Sequence, residues 1–592
     1  MADILDPRRG DAEDDVSSTA AHSLLAIAGT MFSEISLPKL ALAWTSLVGL
    51  PAVLVGLAPL VVTGWLNTVS GKIVAMAGFG SLAVLALLVA LTWFVAPPLF
   101  RLAERSFWSL NALAVQPLYA LWREGLRHLA DRWVGAGHAR RRALLRQRAA
   151  LGAGLIVCIV SLGLAALVWP ATRWMGEAAD LATPLRLIVP ALANAFVAGS
   201  LYLAAAALFW GLADGTMAPA VDHASFVPVT GAAKRWRVAH LSDLHIVGER
   251  YGFRLESGRA GAQGNGRLDM VLQRLAAIHA ADPLDLVLVT GDVTDAGRSS
   301  EWAEFRDAVA RFPALGARML ILPGNHDLNI VDRANPARLE LPASPARLWR
   351  RLRTLSAIAA VQGGRVRVPD GEGVLDRTLD AMLAPHREAM AAFADRGDWS
   401  AGRELNALWQ EAFPMILPPE SADGLGIAVL NSNADTHFSF TNALGMMPLD
   451  QAHRLAEAVR RYPQARWIIA LHHHVVEYPA PAKAFSERIG TALINGSWFV
   501  RELQRLGRRC VVMHGHRHVD WIGSCGEVAI VSAPSPVMAP EDQDTWFHIH
   551  TLAAEPGGGL SLATPHRVVV PAPLPVDRIG ASQDSPASPA VR

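Results

Sequence analysis

The sequence predicts an N-terminal α-helical membrane region followed by a C-terminal layered α/β domain, and three observations carry that expectation. Long apolar stretches without a charged residue are confined to the first 213 positions. From Trp236 the texture changes to short apolar runs separated by turn residues and helical periodicities. Five of those runs end in Asp, His or Asn, the side chains that bind metals of intermediate softness. Averaged over 592 residues, 52% hydrophobic and 18% charged describe neither part.

The membrane region comes first. Leu40–Leu66, Ile73–Phe100, Ala149–Pro170 and Leu187–Ala213 contain no charged residue, and each reaches the length of about 20 residues that a spanning helix needs. The absence of ionisable groups inside them predicts anchoring rather than transport. Between the second and third stretches, the segment 101–148 holds Arg101, Arg105, Arg123, Arg127, Arg132, Arg140, Arg141, Arg142, Arg146 and Arg148, opposed only by Glu104, Glu124 and Asp131. The other connections carry Lys72 and the pair Arg173 and Arg186. Positive charge stays inside, so this arginine-rich loop is expected in the cytoplasm, and four spans put both termini there too. The acidic start (Asp11, Glu13, Asp14, Asp15) lacks the basic lead of a cleaved signal peptide. The expectation is a multi-pass inner (cytoplasmic) membrane protein with four transmembrane helices over 40–213. A partly disordered cytoplasmic segment, 1–39, would precede them and a linker, 214–235, would follow.

Charge and cysteine exclude other classes. With 54 Lys+Arg against 53 Asp+Glu the net charge is +1, so no nucleic-acid partner is predicted. Cys158, Cys510 and Cys525 form no CxxC pattern and no disulfide framework.

The α/β domain is expected over 236–569. Arg237–Leu241, Leu284–Thr290, Arg318–Leu322, Gly426–Leu430, Trp467–Leu471, Cys510–Met513 and Glu527–Val531 have strand length, with helical periodicity at Leu268–His279 and Leu449–Val459. Such alternation gives sheets covered by helices. The tail 570–592, rich in Pro, Ala and Ser, is expected to be disordered.

The strand ends carry the chemistry. In order they read Ser242-Asp243-Leu244-His245, Gly291-Asp292-Val293-Thr294-Asp295, Gly324-Asn325-His326-Asp327, His472-His473-His474 and His514-Gly515-His516-Arg517-His518. Singly each is weak; together they place N and O ligands on one rim, held by rigid strands.

This ordered set, D-x-H, G-D-x-x-D, G-N-H-D, H and G-H-x-H, resembles the calcineurin-like metallophosphoesterase superfamily over roughly Trp236–His550. The resemblance implies a two-sheet β-sandwich flanked by helices, with two divalent transition-metal ions (Mn, Fe or Zn) above the strand ends. By that resemblance Asp243, His245 and His518 would hold one metal, Asn325, His472 and His516 the other, and Asp292 would bridge both. His473 could replace His472, since three histidines run together. His326 would contact the phosphoryl group or leaving oxygen, as a catalytic residue. Asp295 and Asp327 are expected to orient ligand side chains, or alternatively to cap turns. The chemistry makes sense independently: two cations neutralise an anionic phosphoester and lower the pKa of a bridging water, supplying a hydroxide nucleophile near neutral pH.

Departures from other branches narrow the expectation. Protein Ser/Thr phosphatases carry Arg before the Gly of the third block, Glu after its His, and Asp-Arg-Gly where this chain has Asp295-Ala296-Gly297; UDP-diacylglucosamine hydrolases typically carry Arg at the place of His326. The blocks look most like the bacterial cyclic-nucleotide and glycerophosphodiester phosphodiesterase branch. An insertion at about 329–423 contains eight arginines from Arg333 to Arg367 against Glu340. Its run Trp349-Arg350-Arg351-Leu352-Arg353 is expected as a solvated helix face, or alternatively on an anionic membrane surface. The functional expectation is a membrane-anchored phosphodiesterase with a phosphoester substrate and the lipid bilayer as partners. A phosphomonoesterase, a lipid-phosphoester hydrolase and a non-catalytic membrane sensor or scaffold are the alternatives.

Overall fold

The structure is a computed structural model that describes residues 49–75, 116–133, 139–177, 184–223, 234–248, 263–332, 344–396, 399–480, 493–540 and 542–572, with a few isolated residues besides. In chain order its strands are β1 Ala220–Asp222, β2 Arg235–Leu241, β3 Leu286–Val289, β4 Met319–Ile321, β5 Arg367–Val368, β6 Arg377–Thr378, β7 Met415–Leu417 and β8 Leu425–Val429. They continue with β9 Arg466–Ala470, β10 Cys510–His514, β11 Trp521–Cys525, β12 Val528–Ser532, β13 Thr545–Ala554, β14 Leu560–Leu562 and β15 His566–Val570.

Two sheets form. The first runs β1-β11-β12-β10-β9-β8-β7-β5-β6 and the second β14-β13-β2-β3-β4, with β15 also paired to β13. Their centres are parallel, β2 to β3 to β4 in one and β8 to β9 to β10 to β12 in the other. Strand alternation then builds two cores. Ile468, Ala470, Val511 and Met513 face the β2–β4 sheet between the layers. Trp467, Ile469, Leu471, Cys510 and Val512 face outward, under the helices Leu449–Arg460 and Gly496–Gln504. Burial on both faces explains why these strands are apolar without interruption.

All seven expected strands are present, each within two residues of its expected bounds. The residues expected as a linker contribute an edge strand, β1, to the larger sheet. The strand β15 reaches Val570, and 573–592, expected as tail, lie outside the described residues, as do 1–37.

The basic insertion differs from its expectation. Pro345–Gln362 is a helix packed into the inter-sheet core through Leu352, Leu355 and Ile358, and Arg347, Arg350 and Arg353 are themselves buried. Arg350 bonds both carboxylate oxygens of Glu340 at 2.6 Å and the Leu328 carbonyl at 2.9 Å. Arg347 and Arg350 neutralise Glu340, and Arg350 ties down the backbone at Leu328. The run lies neither on a solvated face nor on a membrane surface.

Among the described residues two helical segments are long and apolar enough to cross a membrane, Arg141–Ala171 and Leu185–Gly215. They carry the third and fourth expected stretches. The first overlaps the helix Leu50–Ala75 only in part, and that helix, whose apolar part Ala52–Thr68 is shorter, runs on through Lys72 where a connection was expected; the second expected stretch lies beyond residue 75 outside the described residues. A soluble core helix would be mostly covered, yet only 28% and 39% of the two apolar windows are buried. Leu155, Ile159, Leu167, Val189 and Phe209 stand exposed. The two helices touch through small residues: a Cβ on Gly154 would lie 2.6 Å from the Ala207 carbonyl oxygen, a closeness that only glycine allows. The segment expected as an arginine-rich loop is helical where it is described, at Gln116–Trp133 and from Ala139 onward.

Candidate metal centre

Parallel strands in both sheets end at one rim, and the turns after β2, β3, β4, β9 and β10 bring the expected residues together there. Asp243, His245 and His518 form one group whose ligand atoms lie within 4.8 Å of one another; Asp292, His472 and His516 form another; Asp292 also groups with His245 and His326. Asn325 joins the second group, its Oδ1 3.1 Å from His472 Nε2. Asp292 sits in the middle, with Oδ2 3.3 Å from His472 Nε2 and 3.7 Å from His245 Nε2.

The backbone records what this convergence costs. Among the described residues, the non-glycine residues with positive φ are Asp243 (56°), His245 (43°), Asp292 (48°), His516 (77°) and His518 (51°). A non-glycine residue in the left-handed region costs of order 1–3 kcal/mol, so the fold spends that conformation on these five positions. Two motif glycines are equally forced. A Cβ on Gly515 would overlap the Ser242 side chain, and one on Gly324 would overlap Asp292.

Three imidazoles share one arrangement. His472 Nδ1 donates to the Thr290 carbonyl at 2.8 Å, His516 Nε2 to the Thr491 carbonyl at 3.1 Å and His245 Nδ1 to Asp295 Oδ1 at 3.2 Å. The oxygen behind each ring fixes the tautomer and aims the other nitrogen's lone pair at the cluster. His245 Nε2 is buried with no hydrogen-bond partner among the described residues, and His516 Nδ1 faces His472 Nε2 at 3.1 Å. Lone pairs converging on a carboxylate need a cation between them, so this donor set fits divalent metals. The mixture of His nitrogen with Asp and Asn oxygen suits Zn, Mn or Fe.

Electrostatics agree. Burial alone would raise the Asp292 pKa, but His472 and His326 outweigh it and hold the carboxyl well below its usual range. Burial would lower His472, and Asp292 instead lifts it to about 9. His516 is pushed far down by burial and by His473, and His245 falls to about 4 through burial and His326. Protons and metal ions compete for the same lone pairs here.

The remaining expected residues take distinct places. His326 accepts no role inside the two groups: its Nδ1 donates to the Asp295 carbonyl at 2.7 Å, its own N–H donates to Asp292 Oδ1 at 2.8 Å, and its ring is only part-buried at the open side. Asp292 and Asp295 raise its pKa against burial, which alone would lower it. Asp295 backs His245, whereas Asp327 accepts from the backbone N–H groups of Val293, Thr294 and Gly324 and from the Thr294 hydroxyl. Asp327 thus braces the turns and touches no ligand side chain. His473 turns away toward Ser432 Oγ at 2.9 Å. Ser432 also accepts the N–H groups of His472 and His473 at 3.2 and 3.1 Å, setting which histidine points inward. Neither Ser432 nor the carbonyls of Thr290 and Thr491 figured in the sequence motifs, because an acceptor from a distant loop leaves no local pattern.

Residues 237–414 match the family described as calcineurin-like phosphoesterase. Comparison with curated protein sequences finds no match. Among solved structures, the chain is similar to a dimetal phosphatase from Danio rerio (10% identity, 57% of this chain and 99% of that chain, TM-score 0.31). It is also similar to a putative 5'-nucleotidase from Staphylococcus aureus (12%, 57% and 54%, TM-score 0.31) and to NAD nucleotidase from Haemophilus influenzae (13%, 57% and 57%, TM-score 0.27). The alignments span little more than half the length of the latter two. The family match and the donor set together define a calcineurin-like metallophosphoesterase domain, a metal-dependent phosphoester hydrolase.

Proposed function

We propose that the chain is a membrane-anchored phosphoesterase that uses two divalent metals to hydrolyse a phosphodiester. The observation that carries this is the gathering of Asp243, His245, Asp292, Asn325, His472, His516 and His518 around one point, five of them in left-handed backbone. In this reading Asp243, His245 and His518 hold one ion, Asn325, His472 and His516 hold the other, and Asp292 lies between them. Bound there, the two ions would neutralise the phosphoester and acidify a water molecule. The chain's own part is to present seven donors in fixed directions and to keep His326 at the open side. A protonated His326, held by the Asp295 carbonyl, would donate to the phosphoryl or leaving oxygen, a contribution of about 10²–10⁴-fold. The exposed apolar faces of Arg141–Ala171 and Leu185–Gly215 support anchoring, and the arginines at the catalytic-domain end of these helices support a cytoplasmic domain. Asp295-Ala296-Gly297 and Gly324-Asn325-His326-Asp327 favour a diester over a phosphoprotein.

The test is hydrolysis of bis-p-nitrophenyl phosphate by the full-length protein with Mn²⁺. Asp292→Ala and Asn325→Ala should abolish it while the protein stays folded. Full activity in either variant refutes the two-metal arrangement, and a preference for p-nitrophenyl phosphate refutes the diester.

A further inference from the structure

The loop that leaves the metal centre after β9 runs on to the helical part of the chain. Its residues 474–480 form no regular element, and among the described residues no backbone–backbone hydrogen bond holds them. Side chains hold them instead, and two of these come from the helix Ala139–Val168. Arg146 Nη1 donates to the Tyr478 carbonyl at 2.8 Å, and Arg142 Nη1 donates to the Pro479 carbonyl at 3.4 Å. Arg146 is itself gripped by Asp131 of the helix Gln116–Trp133, through Nε at 3.2 Å and Nη2 at 3.0 Å. That two-point grip fixes the guanidinium plane and leaves Nη1 for the loop.

Tyr478 carries the connection onward. It is buried, and its hydroxyl lies 2.8 Å from Ser532 Oγ. The Arg517 guanidinium lies over the Tyr478 ring, 5.4 Å from its centroid, and Arg517 Nη1 donates to Glu477 Oε2 at 3.5 Å. Arg517 stands in the turn between His516 and His518, both in left-handed backbone. Such backbone persists only where its surroundings over-determine it, and the seat on Glu477 and Tyr478 is one of those surroundings. A second path joins the same residues: the Tyr478 ring stacks with His474 at 5.8 Å, and His474 with His516 at 6.0 Å.

We infer that Arg146 is a positioning residue for the metal centre. Through Tyr478 and Arg517 it holds the turn that carries His516 and His518, so the helical part sets how tightly the catalytic domain binds metal. The inference rests on His516 and His518 as metal ligands, and on neither the membrane anchoring nor the diester preference.

The test is Mn²⁺ affinity of the full-length protein, read by competition with a chelating dye. Arg146→Ala should bind about tenfold more weakly, the lower end of what a partner behind a metal-binding histidine contributes. Arg517→Ala should lose a similar factor. If the two act along one path, Arg146→Ala/Arg517→Ala should lose no more than the larger single loss. Tyr478→Phe, which keeps the ring under Arg517, should bind Mn²⁺ more tightly than Tyr478→Leu, and this pair decides the matter if Arg146→Ala fails to fold. A role confined to stability would lower the urea midpoint of Arg146→Ala and leave the Mn²⁺ affinity of the folded protein at the wild-type value. That result, additive losses in the double variant, or equal affinity in the two Tyr478 variants would each overturn the inference. His518→Ala separates it from the ligand assignment. Wild-type Mn²⁺ affinity in His518→Ala overturns both, whereas weakened binding there beside wild-type affinity in Arg146→Ala overturns the inference alone.

Discussion

Asp295 offers a graded test of how the chain aims a donor at the metal centre. Its Oδ1 stands 3.2 Å from His245 Nδ1, and the two side chains are 1% and 3% exposed. The far nitrogen of that ring, Nε2, has no hydrogen-bond partner among the described residues, so the hydrogen bond to Asp295 is what fixes the ring's direction. Removing the carboxylate behind a metal-binding histidine costs about 10–100-fold in metal affinity, roughly 1.4–2.7 kcal/mol. Asp295→Ala should fall at the upper end, near ~100-fold, because it removes both the charge and the acceptor. Asp295→Asn keeps an oxygen facing Nδ1 and loses the charge. A charge-assisted bond is about twice as strong as a neutral one, so half of the free energy should survive and the loss should be about tenfold. The Asp295 carbonyl that holds His326 belongs to the main chain and is untouched by either change. The assay is Mn²⁺ affinity by competition with a chelating dye, with the Mn²⁺ dependence of diester hydrolysis as a second readout. Wild-type affinity in Asp295→Ala, or equal losses in the two variants, would refute the reasoning.

Three further outcomes follow from the geometry. Gly515→Ala should cost about 1–3 kcal/mol and most Mn²⁺-dependent activity, because its Cβ would overlap Ser242 and lie 2.6 Å from Asp243 Oδ2; Ser242→Gly should partly restore both, and an unchanged urea midpoint would contradict it. Arg350→Ala leaves Glu340 buried beside Arg347 without its closest guanidinium and should cost about 3–5 kcal/mol by urea unfolding, whereas the Arg350→Ala/Glu340→Ala double variant should lose less than the single change. Acid should destabilise the fold through the buried histidines behind the site: burial and His548 hold His550 near 3, and burial and His550 hold His240 far below its usual value. Since the unfolded chain protonates these groups near pH 6.5 and the folded chain does not, stability present above that pH is lost as pH falls toward 3. The urea midpoint should drop between pH 7 and pH 4.5, less so in His550→Asn, and a flat profile would refute it.

Much of the site was legible in the sequence because its parts are local. Asp243-Leu244-His245 and His516-Arg517-His518 place two donors on one turn, and that turn follows an apolar run whose length already marks a strand. The arginines of Pro345–Gln362 misled for the same reason. A charge run ordinarily faces water, and the buried Glu340 that pairs with Arg347 and Arg350 lies outside the run, earlier in the chain. Strands such as Thr545–Ala554 escaped notice because His548 and His550 interrupt the apolar pattern while facing a polar pocket near Asp520.

By itself the sequence determined the division into an apolar helical part and an α/β part, the seven central strands, and the residue types at their ends. Each of these depends on neighbours within a few residues. Only the tertiary structure decided that His472 faces Asp292 while His473 faces Ser432, and that Thr290 and Thr491 turn the rings toward a common point. It also decided that five of those residues occupy left-handed backbone, and that arginines from the helical part close a cavity against the segment after His472. Such facts depend on which carbonyl or hydroxyl a distant loop brings within about 3 Å, a distance that no local pattern of residues encodes.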